Sequence, residues 1–167
     1  MNNAWELIAN SLRDELQEYG GLVGLFQEQQ SALLRRDANG VLASVSAIEA
    51  QARSAAERRM RREAVVRDVA LANGRNVEST LRSLLDCLPA EVRPMIEALI
   101  DEINRLVHRA RRSARQNTML LQRAIEIHQE ALRTLRPEAF TKTYSARGQV
   151  SVNNAVATPP AALEAVG

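Results

Sequence analysis

The chain has 167 residues, 46% of them apolar and only 3% aromatic, so one core is affordable without metals or disulfides and must be built from Leu, Val, Ile and Ala. Cys87 is the single cysteine, which excludes an intrachain disulfide and suits a reducing cytoplasm. Formal net charge is only +2, and its distribution says more than its total. Residues 1–30 hold five acids against Arg13 alone, residues 53–75 hold seven arginines against Glu57, Glu63 and Asp68, and residues 105–115 hold five arginines and no acid. An acidic helix beside two basic ones helps to set neighbours in a bundle.

In chain order, a first helix is expected over about residues 4–36. Trp5, Leu12, Tyr19, Phe26 and Leu33 recur every seven residues, with Ile8, Leu16, Leu22 and Val23 between them. That is a coiled-coil-like seam, and core packing explains its aromatics better than a stacking platform does. Gly20-Gly21 weakens the helix locally and suggests a mild bend. Asp37 or Asn39 can cap a second helix over about 40–72, whose expected face is Val41, Val45, Ile48, Ala52, Ala55, Val66 and Val69. Asn73-Gly74 ends it.

A short helix is expected over roughly 77–88 from Leu81, Leu84, Leu85 and Leu88, stopped by Pro89. Cys87 falls among these leucines, where an inert thiol is the ordinary reading. The last helix, about 91–136, opens with Pro94 in its first turn and carries Ile96, Ile103, Ala110, Asn117 and Ala124 at seven-residue spacing. Leu99, Leu106, Leu120 and Ile127, with Ile100, Val107, Leu121 and Leu135, widen the stripe. Asn117 occupies a core-type position, where one buried amide can set register. Such a long helix must lie against the other long ones to be stable in water.

Periodicity stops at Pro137, and residues 137–167 read as a flexible tail with the isolated aromatics Phe140 and Tyr144. The expected fold is therefore all-α: an elongated antiparallel bundle of three long helices plus one short helix, coiled-coil-like, over residues 1–136, followed by that tail. No apolar run approaches the ~20 residues of a membrane span, and Met1-Asn2-Asn3-Ala4-Trp5 has no signal-peptide character.

The motifs of catalysis are missing from the sequence. His108 and His128 are about 30 Å apart along one helix, and no HExxH, CxxC or glycine-rich phosphate loop occurs. Asp14-Glu15 and Asp101-Glu102 are adjacent in sequence, point to different sides of their helices and are expected to be solvated charges. The expectation is a non-enzyme without cofactor or metal. Arginines at 58–62 and 105–115 could follow phosphates, yet they are expected to circle their helices rather than form one stripe, with no aromatic between them, which disfavours nucleic acid. A coiled-coil scaffold or homodimer is the other reading left open by the seams.

The stretch Gln116-Asn117, Leu120-Leu121, Gln129-Glu130-Ala131-Leu132, closing at Leu135-Arg136-Pro137, resembles the last helix of the FlgN family. Thr143-Tyr144 with Gly148 and Gln149 resembles that family's tail motif, with Thr118 and Ser145 where the family often has glycine. The resemblance implies a cytoplasmic flagellar type III export chaperone. Such a protein binds the C-terminal helical segments of the hook-associated proteins FlgK and FlgL, prevents premature assembly and delivers them for export. On that basis Asn117, Leu121, Ile125, Leu132, Leu135 and Phe140 are expected to bind client. Tyr144 and Gly148 are expected to dock at the export gate, which is FlhA, with the export ATPase as a further partner. The chain itself is expected to be a monomer or weak homodimer, without nucleic acid or stable membrane insertion.

Overall fold

The computed structural model describes residues 4–135, 142–144 and 150–152. Its contacts divide the chain into two compact units, residues 1–121 and residues 122–167. The fold is all-α in character: α1 (Ala4–Leu34), α2 (Ala38–Ala72), a short 3-10 helix (Leu81–Cys87) and α3 (Arg93–Leu135), followed by the short strands β1 (Lys142–Tyr144) and β2 (Val150–Val152).

In the first unit α1 and α2 form an antiparallel hairpin, and α3 runs in the same direction as α1. Ile8, Ala9 and Leu12 of α1 share a core with Val66, Val69 and Ala70 of α2, Leu81, Leu84 and Leu88 of the short helix and its exit, and Ile96 and Ile103 of α3. Further along, Leu22 and Val23 pack with Ala110. The three expected aromatics Trp5, Tyr19 and Phe26 are only half-buried, at the rim of these clusters. Bulky rings flank the seam while smaller aliphatic side chains fill it.

The turns follow local chemistry. Arg36 takes a left-handed conformation, φ 58°, to reverse the chain. Asp37 then accepts a hydrogen bond from the Gly40 N–H at 2.9 Å and caps α2. At the far end Asn73 donates backbone and side-chain N–H groups to carbonyls of the last turn, and Gly74 at φ +65° takes the left-handed position for which glycine carries no Cβ penalty.

Two sequence expectations shift. In α2, Val45 and Ala52 face solvent, because polar residues hold inward positions of the helix. Gln51 donates to the Glu18 backbone carbonyl at 3.1 Å and to its carboxylate at 2.6 Å. Arg58 pairs with Asp14 at 3.0 Å, and Arg62 pairs with Glu15, which is 1% exposed. A face read from apolar residues alone misses these positions. Gly21 belongs to the same arrangement, since a Cβ there would stand 2.9 Å from the Gln51 amide nitrogen. A side chain at this position would push the Gln51 amide aside.

The second shift concerns the short helix, expected over 77–88 and found as a 3-10 helix over Leu81–Cys87. Thr80 caps it by accepting from Ser83 N–H at 3.2 Å, and Leu81 and Leu84 stack at the three-residue spacing that a 3-10 turn superposes. Arg93 bonds back to the carbonyls of Leu88 and Asp86, both at 2.9 Å, and seats the start of α3.

Candidate functional site

α3 is 43 residues long, about 64 Å by helical rise, against 31 residues in α1 and 35 in α2. Its buried residues are Ile96, Ile103, Ala110 and Asn117, the seven-residue seam expected from sequence. Asn117 is the last of them, and Ala124, the next in the series, is only half-buried.

Asn117 is 4% exposed and is engaged within the first unit. Its amide nitrogen donates to the Phe26 carbonyl at 2.8 Å and to the Gln29 side-chain oxygen at 2.9 Å, while its own oxygen is buried without a partner. The amide thus ties α3 to one level of α1. α1 continues only to Leu34, about two turns beyond Phe26, whereas α3 continues about five turns beyond Asn117.

From Met119 onward the large apolar residues of α3 are mostly exposed. Leu121 closes the first unit at 42% exposure. In the second unit Ile125 and Ile127 are half exposed, Leu132 is 53% exposed and Leu135 77%. Leu121, Ile125, Leu132 and Leu135 are spaced four, seven and three residues apart, the repeat of a single helical stripe. The polar residues among them pair locally: Arg123 with Glu126 at 3.1 Å, Arg133 with Glu130 at 3.8 Å, and His128 Nδ1 bonds to the Ala124 carbonyl at 2.7 Å. None of these pairs covers the apolar residues. Exposed apolar side chains in such number on one helix are the residues available to a partner.

Met119 at 67% exposure and Ile127 at 50% were not among the residues expected to meet a client. Ile127 had the spacing of a core residue, and only the length of α3 relative to its neighbours distinguishes it. Phe140 and Gly148 lie outside the described residues. Tyr144 ends β1, opposite Val150 in an antiparallel pair that also aligns Lys142 with Val152 and Thr143 with Ser151. Among the described residues no group of three His, Cys, Asp or Glu side chains could hold a metal ion, and no helix is long and apolar enough to cross a membrane.

Charge is handled differently on different helices. Two of the α2 arginines pair with α1: Arg58 with Asp14 and Glu18, Arg62 with Glu15. Arg59 bonds Glu63 at 2.8 Å, and this hydrogen bond holds the Glu63 carboxyl below the usual carboxylate range and raises the Arg59 guanidinium.

An all-α chain of three long helices, with exposed large apolar residues on the last part of the longest, defines a class: the helical-bundle proteins. Comparison with family models gives the particular assignment. The FlgN model, described as FlgN protein, matches residues 1–151, and the chain belongs to the FlgN family of flagellar export chaperones, which bind flagellar hook-associated proteins. Comparison with curated proteins and with solved structures returned no match.

Proposed function

We propose that the chain is a cytoplasmic chaperone that captures the C-terminal helical segments of the junction proteins FlgK and FlgL and presents them to the export gate FlhA. The observation that carries this reading is the set of exposed large apolar residues on α3 past Asn117, with Leu121, Ile125, Leu132 and Leu135 on one side of the helix. An amphipathic client segment gains stability by laying its apolar face on Ile125, Leu132 and Leu135. Burying one such side chain contributes about 1.5–3 kcal/mol before ordering costs. Leu121 and Phe140 extend the set. Asn117 is already engaged with Phe26 and Gln29, so its part is to seat the helix, not to touch the client.

Tyr144 and Gly148, from the family's tail motif, are assigned to docking at FlhA. Holding the client's aggregation-prone helix until delivery requires that the two tasks use different residues. The apolar stripe and the tail motif satisfy that requirement.

The test is size-exclusion chromatography with light scattering, with and without the C-terminal segment of a FlgK-type protein. A one-to-one complex with the wild-type chain, lost in Leu132→Asp at unchanged helicity, supports the client surface. A client-independent oligomer that ignores the segment overturns it in favour of a self-associating scaffold. For the tail, Tyr144→Ala is expected to abolish binding to FlhA and to leave client affinity unchanged; retained FlhA binding refutes that assignment.

A further inference from the structure

The second feature of α3 left unused by client binding is its charge. From residue 103 to residue 125 the sequence contains no acid, while Arg105, His108, Arg109, Arg111, Arg112 and Arg115 crowd into the stretch, and all six are exposed. The impression that these arginines circle the helix needs correction. With Ile103, Ala110 and Asn117 fixing the buried side, Arg105 and Arg112 stand in line on the opposite side. Arg109 flanks them on one edge and Arg115, with His108, on the other. Only Arg111 lies off this stripe.

The stripe is costly to the free chain. Arg105 and Arg109, Arg109 and Arg112, and Arg112 and Arg115 are like charges at three- and four-residue spacing, which repel along a helix. Arg105 has Glu102 at 2.8 Å, but Arg109, Arg112 and Arg115 have no carboxylate within ion-pair distance among the described residues. The contrast with α2 matters, because there the inward arginines are neutralised by α1. On α3 no carboxylate of the described residues faces Arg109, Arg112 or Arg115, which leaves their donors open to an acidic partner.

We propose that the Arg105–Arg115 stripe docks an acidic helix of a partner protein, one whose carboxylates recur at i, i+3 or i+4, and i+7. The spacing of the arginines is that of one helix side, and the planar guanidinium fork matches carboxylates in bidentate pairs. The patch is short, about 15 Å from Arg105 to Arg115. Asp101 and Glu102 close its N-terminal end, which suits a finite acidic segment and opposes a polyanion that continues past it. No aromatic lies on the stripe to stack a base. A second copy of the chain does not fit either: among the described residues no three acids recur at the required spacing, and the pairs four residues apart, Asp14 with Glu18, Glu97 with Asp101 and Glu126 with Glu130, already face arginines. This surface is independent of the client stripe and does not rest on it.

The experiment is fluorescence anisotropy of the full chain against a labelled alanine-rich helical peptide with four glutamates at that spacing. A peptide of identical composition with glutamates distributed around the helix serves as control. A 20-base-pair DNA duplex and phosphatidylserine-containing vesicles are run alongside at ~0.1 M salt, where surface charges beyond ~10 Å are screened. The patterned peptide is expected to bind at least tenfold more tightly than the control. The double variant R105Q/R112Q is expected to lose at least tenfold, with unchanged circular dichroism, while R53Q/R61Q on α2 and Leu132→Asp lose nothing. Equal binding of the two peptides, no binding of either, or tighter binding to duplex or vesicles than to the patterned peptide would overturn the proposal.

Discussion

The two parts of α3 on either side of Asn117 both carry apolar residues at helical spacing, with opposite exposure. From Ile96 to Asn117 the seven-residue repeat is buried against α1, α2 and the short 3-10 helix; from Leu121 to Leu135 the large apolar residues are mostly exposed. Register accounts for part of the difference: the repeat itself goes on through the small residues Ala124 and Ala131, Leu121 and Leu135 continue the positions of Ile100 and Val107, and Ile125 and Leu132 take those of Asn104, Arg111 and Thr118. An apolar residue is core only where its position on the helix meets a neighbour.

The comparison breaks most sharply with paired truncations. Ile96→Ala, at a residue with 0% exposure, is expected to cost about 3 kcal/mol in denaturant unfolding. Leu132→Ala, at 53% exposure, is expected to stay within about 0.5 kcal/mol while weakening client binding at least tenfold. Equal losses of stability would show that both parts are core.

The boundary itself is tested by Asn117→Asp. The substitution keeps shape but replaces the amide's donors with a carboxylate facing the Phe26 and Gln29 oxygens. Destabilisation of about 2–3 kcal/mol near neutral pH is expected. The introduced carboxyl is disfavoured in its charged form, so its folded pKa is raised. The native state then holds its proton longer than the unfolded chain does, and stability falls as pH rises above the unfolded value near 4. Urea unfolding at pH 4 and pH 8 reads this slope.

A buried ion pair sharpens the α1–α2 side. Glu15→Ala leaves Arg62, only a fifth exposed, without its carboxylate and is expected to cost about 2 kcal/mol, whereas Glu15→Met is expected to recover part of that loss. The smallest effect belongs to the exposed Arg59–Glu63 pair. Glu63→Gln should cost at most a few tenths of a kcal/mol. Because the folded pKa of Glu63 is lowered, its contribution is present above the unfolded value near 4.3 and disappears as pH falls through the folded value. Wild type and variant therefore converge in acid.

Much of the fold was legible in sequence because apolar repeats and end signals are local. Ile96, Ile103, Ala110 and Asn117 were placed by spacing alone and Gly74 by capping chemistry, while the cap of α2, open between Asp37 and Asn39 in the sequence, is Asp37. The inward face of α2 was not, because Gln51, Arg58 and Arg62 look like surface residues until Glu18, Asp14 and Glu15 are set opposite them. Leu84 and Leu88 fit an α-helix and a 3-10 turn equally well as a short apolar run, and Thr80 decides where that turn begins. Of the residues expected to bind client, Leu121, Ile125, Leu132 and Leu135 are exposed, Asn117 is buried and Phe140 lies outside the described residues. Spacing alone cannot tell a stripe filled by the chain from one awaiting a partner.

The central claim is that α3 changes from core to client surface at Asn117, and hydrogen exchange of the full chain tests it most directly. With the C-terminal segment of a FlgK-type protein added, amides of residues 118–135 are expected to gain protection while those of 96–117, already protected, stay unchanged. Protection gained over 96–117 instead, or nowhere along α3, would contradict the account.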